Sequence, residues 1–205
     1  MNCSLLCSWR FGTLNYDVFQ WINNLADHYD WIDDIMEFGA QGIVWVMIVL
    51  LAVVWFTGRE RNQRLVFFAC VSTALALLVA GWAISPVIAH PRPFMEHNVH
   101  QLIPHAADPS FPSDHATFAF SLAFTVWFAN KRLGRLLIVL AVITGVSRIY
   151  VGVHYPADIL GGAAVAFVSS LLVRKLTPWI EPAWAISLKL YRKLTSHVPF
   201  LSGRS

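Results

Sequence analysis

The sequence is short of charge. Only 13% of its 205 residues are Asp, Glu, Lys or Arg, against 57% hydrophobic, where a soluble domain of this size carries about a quarter charged residues. It is also short of cysteine. Cys3, Cys7 and Cys70 make no disulfide framework, and without a partner His or a second Cys pair they imply no zinc site. Cys70 falls inside an apolar run and reads as a small apolar residue. No repeat of fixed period and no low-complexity tract is present. In the first dozen residues no apolar stretch leads to a small-residue cleavage site, so no cleavable signal peptide is expected. These absences exclude a soluble globular domain and a disulfide-stapled secreted one.

What is there is long uncharged runs. "GAQGIVWVMIVLLAVVWFTG" (Gly39–Gly58) and "LVFFACVSTALALLVAGWAI" (Leu65–Ile84) each reach the roughly twenty apolar residues that span a bilayer as helix. Shorter runs follow at about Ser113–Asn130, Leu133–Tyr150 and Ala157–Val173. The expected fold is all-α, a polytopic membrane bundle of about five transmembrane helices. Ahead of the first run, "LNYDVFQWINNLADHYDWIDDIMEF" mixes apolar and acidic positions and reads as one or two amphipathic helices in the interface.

The basic residues orient the bundle. Arg59, Arg61, Arg64, Lys131, Arg132, Arg135, Arg174, Lys175 and the tail cations Lys189, Arg192, Lys193 and Arg204 all fall on one side if the five spans alternate. By the positive-inside rule that side is the cytoplasm. The N-terminus is therefore expected outside and the C-terminus inside, with "WIEPAWAISLKLYRKL" as a basic amphipathic helix on the inner leaflet.

Two arginines break the pattern. Arg92 in "AHPRPF" and Arg148 in "SRIYVGVHYPAD" sit at the outer surface, in loops that also hold Ser113, His115, His154 and Asp158. Arginine forks bind tetrahedral oxyanions bidentately, and a helix beginning at Ser113 offers free amides and a positive dipole end. His154 and Asp158 are four apart around Pro156, so both face one side of a first helical turn, where a carboxylate can hold one imidazole nitrogen and leave the other aimed outward. A nucleophile, its orienting acid, a proton donor and an oxyanion clamp fit phosphoryl transfer through a phosphohistidine.

These residues resemble the three-part signature of the type 2 phosphatidic acid phosphatase (PAP2) superfamily: "RP" at Arg92–Pro93, "PSDH" at Pro112–His115, and "SRIYVGVHYPAD" ending at Asp158. The resemblance implies His154 as nucleophile, Asp158 as its orienter, His115 as general acid, and Arg92, Ser113 and Arg148 as phosphate ligands. It implies no metal or other cofactor and no nucleic-acid partner. Two positions depart from the pattern: Ser85 stands where the first motif usually has Lys, and Asp114 where the second usually has Gly. Together with "VHQLIPHAADPSFPSDH", they are similar to the undecaprenyl pyrophosphate phosphatases of the bacitracin-resistance type. That subgroup implies a bacterial cytoplasmic membrane enzyme that recycles the cell-wall lipid carrier. The expected division is an extension over 1–13, a phosphatase domain over 14–175 and a cytoplasmic tail over 176–205.

Asp114 and Ser147 are possible accessory residues. Asp114 adds negative charge beside the anion site unless it points away, and Ser147 either meets the phosphate or caps backbone. His90, Glu96, His97, His100, His105 and Asp108 are spaced too irregularly for zinc and read as solvated loop residues. A narrower reading has some of them meet a substrate's second phosphate or a bound cation. Two rivals stay open: the same chemistry on phosphatidylglycerophosphate or phosphatidate, and a non-catalytic lipid-phosphate binder or transporter.

Overall fold

The apolar runs become helices because hydrocarbon offers a backbone amide or carbonyl no partner outside its own segment. The computed structural model describes residues 3–195, with side chains from residue 12 onward. The side chains of Cys3, Cys7 and Arg10, and Arg204 in the tail, lie outside the described residues. The first helices are α1 (Cys3–Asn23), α2 (Asp30–Phe56) and α3 (Glu60–Leu78). A π-helical turn over Val79–Ile84 then carries the chain into the short α4 (Ser85–Ile88) and α5 (Pro93–Glu96). The remaining helices are α6 (Asp114–Ala129), α7 (Lys131–Tyr150), α8 (Pro156–Lys175) and α9 (Thr177–Thr195).

Among the described residues, four stretches are long and apolar enough to cross a membrane: α2, the composite from α3 to α5, α7 and α8. The fifth expected span is α6, 16 residues or about 24 Å long at helical rise. It is the central helix, packed against α3, α7 and α8. Its buried Ala116, Ala119 and Ala123 let neighbouring backbones approach closely. Gly134 on α7 does the same from the other side, since a Cβ there would fall 2.2 Å from Trp127 Cα.

The acidic segment divides differently from its expected form. Asp30, Asp33, Asp34 and Glu37 do not belong to a separate interfacial helix; they form the opening turns of α2, which runs unbroken into the first span. Carboxylates at a helix N-terminus complement its dipole. Asp33 is buried there and accepts from the Tyr150 hydroxyl at 2.7 Å. Only α1 remains as a separate helix ahead of the spans. At the far end α9 lays Trp184 and Leu188 against Phe68 and Val173.

The long segment between α5 and α6 is tied down at several points. Asn23 Nδ2, at the end of α1, donates to the carbonyls of His100 and Tyr150, both at 2.8 Å. Its Oδ1 accepts from the His100 amide at 3.0 Å. Gly152, at φ +82°, passes so close that a Cβ would lie 2.5 Å from the His100 carbonyl oxygen; only glycine takes that left-handed turn without a steric penalty. These contacts fix the residues on either side of it, Arg148 and His154.

Candidate active site

Arg92 lies between two prolines. Pro91 and Pro93 hold it extended (φ −78°, ψ 156°) as the N-cap of α5, which turns its side chain into the bundle, where it is 4% exposed. Nε donates to Asp108 Oδ1 at 2.9 Å and to the Asp108 carbonyl at 3.1 Å. Nη1 donates to the Val153 carbonyl at 3.1 Å and meets His154 Nε2 at 3.1 Å. A guanidinium only donates, so Nε2 is the lone-pair nitrogen and the ring proton sits on Nδ1.

The Nδ1 face is where the orienting acid stands. Pro156 opens α8, and Asp158 closes its first turn by accepting the Tyr155 amide at 2.7 Å. Its Oδ2 lies 3.4 Å from His154 Nδ1. Ser110 stands between them: its hydroxyl donates to Asp158 Oδ2 in a very short hydrogen bond and lies 3.3 Å from Nδ1, free to accept that proton. Ser110 is fully buried, anchored by its amide on the His90 carbonyl at 2.7 Å. Nothing in the sequence singles it out; the sole clue is that "DPSFPSDH" places Pro-Ser twice, and only the second pair belongs to the motif. Burial pushes the His154 imidazole down to about 3, against the raising effect of Asp158, so at neutral pH the ring is an uncharged base with Nε2 exposed to the guanidinium side.

Across from it, Ser113 caps α6, its Oγ accepting from the Ala116 amide at 3.5 Å and its own amide donating to the Asp158 carbonyl at 3.1 Å. This bond ties the mouths of α6 and α8 together. The amides of Asp114 and His115 belong to the first turn, which a helix leaves without internal partners. His115 is half-buried, in the field of the Arg148 and Arg92 guanidiniums and of the His105 imidazole. Arg148 is 1% exposed, and its Nε and Nη2 have no hydrogen-bond partner among the described residues. A buried guanidinium with two unanswered donors is costly by several kcal/mol, and an oxyanion is what would offset it.

Arg92, Ser113, His115, Arg148, His154 and Asp158 thus converge on one end of the bundle. Ser147 does not join them: its hydroxyl faces α2, donating to Met36 Sδ at 3.7 Å and abutting Gly39. Asp114 is exposed at the rim. Of the loop residues, His97 stacks on Tyr16 (4.0 Å between centroids), His100 pairs with Asp27 at 2.6 Å, and Glu96 accepts from the Tyr155 hydroxyl at 3.5 Å. Those contacts hold the loop. His105 and Asp108 instead enter the site. The His105 ring sits 6.1 Å from that of His154, and partial burial pushes its imidazole below its ordinary value. Among the described residues no three His, Cys, Asp or Glu side chains converge as metal ligands.

Two buried arginines beside a neutral histidine, at one end of a helical membrane protein, are a setting suited to an oxyanion such as phosphate. The comparisons agree. The PAP2 superfamily pattern matches residues 65–182, and the chain belongs to that superfamily. It is 36% identical over 181 residues to undecaprenyl-diphosphatase BcrC of Bacillus subtilis (strain 168), covering 88% of this chain and 93% of that one. It is 37% identical over 188 residues to YbjG of Escherichia coli (strain K12), covering 89% of each. The crystal structure of Aquifex aeolicus LpxE superposes with a TM-score of 0.63 at 26% identity, over 79% of this chain and 95% of that one.

Proposed function

We propose that this chain is an integral membrane phosphatase that converts undecaprenyl diphosphate into undecaprenyl phosphate and inorganic phosphate. The observation that carries the reading is the pairing of an uncharged His154, its Nε2 turned toward Arg92, with a buried Arg148 whose donors are unanswered. The diphosphate substrate is suggested by the resemblance to BcrC over nearly the whole of both chains.

In the proposed first step the terminal phosphate takes the Arg148 donors, the Arg92 Nη edge and the first amides of α6. His154 Nε2 attacks phosphorus, forming the P–N bond as the bond to the bridging oxygen breaks. His115 gives its proton to that oxygen, and the lipid monophosphate departs. Ser110 and Asp158 hold the Nδ1 proton and stabilise the positive charge that the ring acquires. In the second step His115 takes a proton from water, the water oxygen attacks phosphorus, and the P–N bond breaks to release inorganic phosphate. The fixed positive clamp supplies most of the acceleration, because its dipoles need no reorganisation as charge develops.

The lipid chain has a place to lie. A cavity of about 550 Å³ opens between α2, α3 and α6, lined by Leu51, Cys70, Ala74, Leu77, Phe118 and Leu122. Phe118 is about one helical turn from His115, so a chain in this groove leads its headgroup toward the general acid. The charge asymmetry favours an orientation with the active site and N-terminus outside and the C-terminus in the cytoplasm. Residues 14–175 would form the phosphatase, with 1–13 as an extension and 176–205 as a tail.

The test is phosphate release by the purified protein in detergent with EDTA present, offering undecaprenyl diphosphate and, separately, phosphatidylglycerophosphate. Release chiefly from the diphosphate, abolished by His154→Ala, is expected. Preference for the glycerolipid would move the same chemistry to phospholipid synthesis, and release from neither would contradict the enzymatic reading.

A further inference from the structure

The end of the bundle opposite the active site carries a second anion-seeking feature. α6 and α8 both begin at the active site; at their other ends, Ala129 and Arg174 frame a cavity of about 250 Å³ together with the start of α3. Arg61, Arg64 and Arg174 line it. An adjoining cavity of about 310 Å³ shares Arg61, Leu65 and Ala129 and adds Arg59. Two of these arginines, Arg64 and Arg174, are held by ring contacts. Arg64 lies 5.0 Å over the Phe68 ring and Arg174 5.1 Å over the Phe128 ring.

The charge around this cavity is unbalanced. Among the described residues Glu181 is the acid engaged there, and it is spent on Arg64, with a bidentate contact at 2.7 and 2.9 Å. Arg59, Arg61 and Arg174 pair with no carboxylate among the described residues. The cavity floor is tied by Thr125 donating to Ser170, which also meets Ser72, each at 3.1 Å. Beside the cations the walls are apolar: Leu65, Phe68, Phe128 and Val173. Loose surface arginines that only mark topology would spread into water. Here Arg64 and Arg174 stack on rings, and the exposed Arg61 lines the same recess, which has both a cationic rim and an apolar wall.

We propose that this recess is a binding site for the phosphate headgroup of an anionic membrane lipid, distinct from the catalytic pocket. The phosphate meets Arg61 and Arg174, and the first carbons of the lipid lie against Phe68, Phe128 and Val173. Basic recesses between membrane helices bind phospholipid headgroups by this combination of charge and apolar contact. The proposal is independent of what the opposite end hydrolyses.

Native mass spectrometry of the full-length detergent-solubilised protein tests it, with phosphatidylglycerol and phosphatidylcholine of the same acyl chains as probes. Wild type should retain phosphatidylglycerol about tenfold or more over phosphatidylcholine. Arg61→Ala/Arg174→Ala should lose that preference while eluting as the same monodisperse species. Two controls should keep it: Arg148→Ala, which alters only the catalytic pocket, and Arg132→Ala/Arg135→Ala, which removes the same charge from the same end outside the recess. Equal retention by the Arg61/Arg174 variant and wild type, or equal loss in the Arg132/Arg135 variant, would overturn the proposal. Displacement of the lipid by millimolar inorganic phosphate would also overturn it, by making the ligand a free anion.

Discussion

An imidazole and a guanidinium buried side by side repel any added proton, and at this site both are nearly sealed from water. Burial holds His154 near 3, far below its ordinary 6.5. At about pH 5 the solution is therefore still above the pKa, and the ring stays neutral where a solvated histidine would be mostly protonated. Nitrogen-15 spectra of histidine-labelled protein at that pH should give His154 as the neutral Nδ1–H tautomer; a titration midpoint near 6.5 would contradict the burial argument. Ser110 belongs to the same scale. It accepts or shares the Nδ1 proton while donating to Asp158, so in the proposed mechanism it is a positioning residue for His154. Ser110→Ala should lower kcat by about ten- to a hundredfold, the usual loss when an orienting partner of a functional imidazole is removed. KM should change little, and the Nδ1–H signal should shift; unchanged kcat would show that Asp158 suffices alone. That the six motif residues would gather at one end was legible because each motif's chemistry and spacing are local. Ser110 was not, because its two partners lie 44 and 48 positions away, and nothing short of the folded loop separates it from any other loop serine.

At the scale of elements, helix starts decide most of the architecture. The proline-opened α5 and α8 and the Ser113-capped α6 deliver their functional side chains from first turns, and prolines and caps are visible in sequence. The acid-rich segment was less legible. Its charges argued for a surface helix, whereas the favourable place for carboxylates at the N-terminus of α2 made them the opening of a span. The groove between α2, α3 and α6 was not legible at all, since it depends on how three helices splay. It yields a prediction of its own. Ala74 is exposed in its wall, and Ala74→Trp should fill it. KM for undecaprenyl diphosphate should rise several-fold, by the loss of about one to two buried apolar contacts, while a short-chain prenyl diphosphate should be turned over as before. An equal rise for both chain lengths would place the lipid elsewhere.

The whole molecule joins a catalytic end to an arginine-lined end through one central helix, with α6 spanning from Ser113 to the Thr125–Ser170 contact. The positive charges at the far end were legible as a topology signal; that several of them enclose a recess was not, because it depends on α3, α6 and α8 converging there. The account of the whole rests on one claim, that phosphate passes through His154. The most direct measurement is a rapid alkaline quench of the protein turning over undecaprenyl diphosphate labelled in its terminal phosphate. The label should be recovered on the peptide containing His154, stable to alkali and lost in acid as a phosphohistidine is, and His154→Ala should carry none. Label on another residue, or a His154→Ala protein that releases phosphate at the normal rate, would contradict it.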